Sequence, residues 1–101
     1  MLYFLFKEET SMPTIRMNTD QARSTAGRMR SSSQELQAAL NSASNAVSAM
    51  LAEWEGNSAT QFQGEYDQWR SALNQAIQAL DALTNRLESE IAEWEATAST
   101  L

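Results

Sequence analysis

Trp54-Glu55-Gly56-Asn57-Ser58 sits near the middle of a 101-residue chain, between two stretches patterned as long amphipathic helices. Glycine enters left-handed backbone conformations with no Cβ penalty, so Gly56 reads as a helix stop, the C′ residue of the first helix. Asn57 and Ser58 are good N-caps, and Ser58 has Gln61 three residues on, the spacing of a capping box. One helix therefore ends and another begins within a few residues. So short a connection folds the two helices antiparallel and leaves Trp54 at the bend.

Outward from the bend, apolar residues recur at alternating steps of four and three. On the first helix the row is Ala22, Ala26, Met29, Ser33, Leu36, Leu40, Ala43, Val47, Met50 and Trp54. On the second it is Ala59, Phe62, Tyr66, Trp69, Leu73, Ala76, Leu80, Leu83, Leu87, Ile91 and Trp94, with a stutter at Leu87 and with Ile77 flanking. These are heptad seams. The expected helices cover about 19–55 and about 58–96. Asn18 is placed to cap the first, with Gln21 at N3 and Asp20 in the first turn. Residues 1–17 read as a leader, 18–96 as the hairpin domain and 97–101 as a tail. The first eleven residues fit either an upstream start, with Met12 as the functional start, or a short tail that docks on a helix.

Helices of ~35 residues extend ~50 Å, and a two-helix hairpin covers one side of each seam only. Ile77, Trp69, Met50 and Leu51 are expected to stay partly wet. Small chains bury too little surface to be stable alone. The fold class is therefore all-α, an antiparallel helical hairpin that dimerises into a four-helix bundle. Arg16, Arg23, Arg28 and Arg30 start the first helix, and Glu88, Glu90, Glu93 and Glu95 end the second. Antiparallel folding brings the groups together with Arg23 about level with Glu88; the alternative is two independently solvated faces.

Composition excludes several functions. With no His and no Cys, the commonest general base and the commonest metal ligands are missing, so no catalytic residue, metal or cofactor is assigned. A net charge of -6 argues against a nucleic-acid backbone as partner. The apolar run Leu2-Tyr3-Phe4-Leu5-Phe6 is too short to span a bilayer and lacks the flanks of a cleaved signal peptide. The acidic helices also lack the Lys-rich face of membrane-surface segments, which argues against a membrane partner.

Paired heptads around a central Trp-x-Gly, in a Cys-free chain near a hundred residues long, resemble the WXG-hundred (ESAT-like) family of type VII (ESX) secretion substrates. The resemblance covers residues 12 to about 96, carried by Trp54-Glu55-Gly56 and the aromatics Phe62, Tyr66 and Trp69. It implies a small non-enzymatic protein that is made in the cytoplasm and exported folded as a dimer by the system's ATPase, without a cleaved signal. It also implies a composite export signal, in which Trp54 and Gly56 match the first half. The second half, a Tyr-x-x-x-Asp/Glu element after the second helix, is missing: Tyr66 has Arg70 four residues on, and Trp94 has Ala98. Either another family member supplies it, or a homodimer uses a degenerate signal around Glu88 to Trp94. Met12-Pro13-Thr14-Ile15-Arg16-Met17 looks like the homodimer branch. The seam residues expected to build the core and the dimer are Met29, Leu36, Leu40, Val47, Met50, Phe62, Tyr66, Trp69, Leu73, Leu80, Leu87, Ile91 and Trp94. The competing reading is a cytosolic helical adaptor that binds an unrelated partner helix.

Overall fold

The computed structural model describes residues 16–100, and among them there are two helices, α1 (Thr19–Leu51) and α2 (Asn57–Thr100), paired as an antiparallel hairpin. The expectations for the first eleven residues lie outside the described segment. At the start of α1, Asn18 caps as its sequence position suggests: its Oδ1 accepts the Gln21 N–H at 3.0 Å, and Asp20 faces the positive end of the helix dipole. The hairpin domain runs on to Thr100, so α2 takes up residues expected to form a tail.

The bend departs from the sequence reading. α1 stops at Leu51, four residues short of the expected end. Ala52 caps it in the right-handed region, and the chain leaves through tightened turns, Glu53 N–H to Met50 O at 3.1 Å and Trp54 N–H to Leu51 O at 3.3 Å. Gly56 lies beyond them at φ 111° and is no C′ residue of α1. Its carbonyl instead accepts the Thr60 N–H at 3.2 Å, the first bond of α2, with the Thr60 hydroxyl at 3.4 Å. Gly56 therefore opens the second helix, and Asn57 and Ser58 fall inside its first turn rather than ahead of it.

The buried row also shifts. On α1 it runs through Ala26, Ser33 and Leu40 at heptad intervals, flanked by half-buried Met29, Val47 and Leu51. On α2 it passes Ala59, Tyr66 and Leu73, then Ile77, Leu80, Thr84, Leu87, Ile91 and Trp94. Ile77 is therefore buried within the seam and not a wet flank. Ala76 is exposed, Leu83 stands 61% exposed, and Thr84 is fully enclosed at 0%. Ala59, Tyr66, Leu73, Leu80, Leu87 and Trp94 stand at strict heptad intervals, with Ile77, Thr84 and Ile91 four residues after Leu73, Leu80 and Leu87, so the buried row carries no stutter at Leu87.

Thr84 is accommodated in the seam because its hydroxyl donates to Leu80 O at 2.9 Å, within its own helix. Ser33 donates to Asp81 Oδ1 at 2.6 Å across the hairpin, and Ser44 and Tyr66 share a hydrogen bond of 2.7 Å nearer the bend. These bonds fix the register. At the far end Arg30 pairs with Glu88 at 2.6 Å, and Arg23 pairs with Glu95. Two of the four arginines thus meet two of the four glutamates across the hairpin, one heptad out from the expected level of Arg23 with Glu88, whereas Glu90 pairs with Arg86 on its own helix.

The Cα atoms span 69 × 33 × 14 Å with a radius of gyration of 22.1 Å. A compact domain of this length would have about 13 Å. Two helices in one layer leave both broad faces of the hairpin open.

Candidate functional site: the bend and the apolar face

The two broad faces differ because of where residues stand relative to the buried row. Leu36 precedes Leu40 by four residues. Phe62, Trp69 and Leu83 precede Tyr66, Leu73 and Leu87 by the same four. Equal offsets on antiparallel helices point to the same side of the pair. Met50 lies two heptads on from Leu36 and joins them. This face carries large exposed apolar side chains along its length: Leu36, Met50 at 43%, Phe62, Trp69 at 50% and Leu83. The opposite face carries Arg23 and Arg30 with Glu95 and Glu88, and Asp81 beside Ser33. One face is apolar and the other is bridged by charge.

At the bend, Trp54 is not the last residue of the α1 seam. It lies past the helix end, 36% exposed, with its ring 5.7 Å from Phe62 at an interplanar angle of 47°. Tyr66 and Trp69 make a second aromatic contact at 5.6 Å. The indole thus extends the apolar face to the tip of the hairpin. Gly56 holds the tip by a backbone angle that side-chain-bearing residues rarely adopt.

The structure divides the expected seam residues. Leu40 and Ile91 are buried, and Met29, Val47, Tyr66, Leu73, Leu80, Leu87 and Trp94 are half-buried between the helices. Leu36, Met50, Phe62 and Trp69 are exposed on the apolar face. Sequence reasoning assigned both groups to one row, because α2 carries two apolar rows side by side. The isoleucine at position 77 beside the alanine at position 76 was the available signal that the residue four after Leu73, and not three after it, faces inward. Ser33, Asp81, Ser44 and Tyr66 were not anticipated as hydrogen-bonded rungs. Among the described residues no cluster of acidic side chains could hold a metal ion, and no helix is long and apolar enough to cross a membrane.

The pattern of the family described as "Proteins of 100 residues with WXG" matches residues 14–98, which is most of the chain. The chain belongs to the WXG100 family. Its hairpin is also similar to solved structures of EsxB, a secreted protein from Bacillus anthracis strain Sterne. A selenomethionine form aligns with a TM-score of 0.75 at 22% identity, covering 86% of this chain and 99% of that one. A point mutant of EsxB aligns with a TM-score of 0.75 at 20% identity over 85% and 92% of the two chains. The wild type in another crystal form aligns with the same score at 21% identity. At these identities the likeness establishes the helical-hairpin fold. No curated protein matches the chain in sequence.

Proposed function

We propose that this WXG100 protein is a non-enzymatic substrate of a type VII secretion system, exported folded as a dimer, with the Trp54-Glu55-Gly56 bend as half of a composite export signal. The observation that carries the reading is Trp54 itself. A tryptophan serving only the core would lie in the buried row, whereas this one is held outside it, on Phe62, at the tip of the hairpin. Gly56 lets the bend take a φ of 111°, which residues with side chains rarely adopt. The apolar face supports the dimer, because exposed Leu36, Met50, Phe62, Trp69 and Leu83 form a continuous stripe that water penalises. A second hairpin covering that face completes a four-helix bundle.

The other half of the signal belongs to the end of α2 around Glu88 to Trp94, where half-buried Trp94 stands among Glu90, Glu93 and Glu95. The export ATPase is the partner that would read the two halves together. The described secretion of EsxB is consistent with this role.

The test is Trp54→Ala in the full chain, measuring secreted against cell-retained protein. Export should fall while far-UV helicity and solution mass stay unchanged. Undiminished secretion would make Trp54 a packing residue only. The exposed stripe also suits a cytosolic adaptor that takes an unrelated long helix. Retention of the wild-type protein in the cell fraction beside an active secretion system would favour that reading.

A further inference from the structure

At the open end of the hairpin, the charged face carries a window between α1 and α2. Arg23 pairs with Glu95, and Arg30 pairs with Glu88 at 2.6 Å. The two bridges stand a heptad apart on each helix, ~10 Å along the axis. Between them lies a cavity of about 500 Å³. Buried Ala26 and Ile91 form its floor, and Gly27 and Ala92 form its sides. We infer that this window is the docking site of the chain's own apolar run Leu2-Tyr3-Phe4-Leu5-Phe6, with Phe4 and Phe6 seated between the two ion pairs. The run precedes the described residues.

The window exists because small residues face each other across it. A Cβ added at Gly27 would meet nothing within 4 Å, and Ala92 offers only a methyl group. The rim is held in place, since Arg30 donates to Glu88 and also to Asn85 Oδ1 at 3.3 Å. Two arginines and two glutamates cancel, so the rim favours neither an anion nor a cation. An apolar floor inside a polar rim suits an uncharged group. The guanidinium groups at the rim favour an aromatic one, because a cation is attracted to the face of a ring.

The chain supplies an occupant of that chemistry. Residues 2–6 are apolar without a break and hold two of the three phenylalanines. Such a run gains free energy on leaving water. In an extended segment alternate side chains share a face, so Phe4 and Phe6 point the same way, ~7 Å apart. That separation fits between two bridges one heptad apart. Lys7, Glu8 and Glu9 follow at once, so the charges fall beside the glutamates and arginines of the rim.

The reach is sufficient. Residues 7–18 link the run to α1, and these twelve residues extend to ~40 Å. Gly27 lies eight residues into α1, ~12 Å from its start. The window is on the face opposite Leu36, Trp69 and Leu83, so the docked run and a second hairpin do not compete. The inference is independent of the export reading, and either can fail alone.

The chain has no cysteine, so a spin label at Lys7→Cys reports from one place. The labelled, isotope-enriched full chain is diluted into unlabelled, unenriched chain, so that only broadening within one chain is read. Amide signals of Gly27, Glu88 and Ala92 should lose most of their intensity relative to the reduced label. Ala92 is exposed, so Ala92→Glu puts a charge at the window without disturbing the hairpin. It should restore those signals with far-UV helicity unchanged. Phe4→Ser combined with Phe6→Ser should restore them from the other partner. Full intensity at Glu88 and Ala92 in the parent chain, or broadening that survives both sets of substitutions, would overturn the docking. Strongest broadening at Leu36, Trp69 or Leu83 would overturn it as well, by placing the run on the apolar face.

Discussion

Gly56 adopts φ 111°, so a side chain there is strained whatever space surrounds it. Gly56→Ala should cost about 1–3 kcal/mol, the usual range for a non-glycine residue held in a sparsely populated region. Gly27 and Gly64 lie within helices, and an added Cβ would meet nothing within 4 Å at either position in the single hairpin. Gly27→Ala should therefore stabilise by about 0.8–1.0 kcal/mol, the difference in helix propensity. Urea denaturation of the two variants tests the contrast: the same substitution should shift the midpoint in opposite directions. Position in sequence identified Gly56 as the bend residue but gave it to the wrong helix. The reason is that α1 stops at a run of tightened turns which no glycine or proline announces.

Between the helices, the elements are held by unequal contributions. Leu40 is buried at the centre of the seam, and Leu40→Ala should cost about 2–5 kcal/mol. The Arg30–Glu88 pair joins side chains that are about half exposed, so Arg30→Ala should cost less than about 1 kcal/mol and lose even that in high salt. Thermal melts at low and high ionic strength distinguish the two variants. Most of this element structure was legible in the sequence. The Asn18 cap, two helices, a short bend and an antiparallel pairing of basic with acidic ends all follow from residue type and period. What was not legible is which of two neighbouring rows on α2 faces α1. Ile77 and Thr84 are inward while Ala76 and Leu83 are not, although both pairs flank the same heptad line of Leu73, Leu80 and Leu87. Thr84 is polar, yet its hydroxyl is satisfied inside its own helix and its side chain is fully enclosed.

For the whole molecule, a single layer of two helices leaves one face charged and bridged, the other apolar and open. Burial on that open face depends on a second hairpin, so stability should depend on chain concentration: the melting temperature should rise as protein is added, by mass action. Calorimetry over a hundredfold concentration range measures this. A melting temperature independent of concentration would mean that the hairpin stands alone. The candidate site was legible at Trp54 and Gly56 from their central placement. The face that continues from them was not, because Leu36, Met50, Phe62 and Trp69 share a heptad pattern with the residues that turned out to be interior. The central claim is that one hairpin does not shield its own apolar surface, and the solution mass of the purified full-length chain tests it most directly. Light scattering should return twice the mass of one chain for a fully helical species, whereas a stable, fully helical monomer would contradict the account.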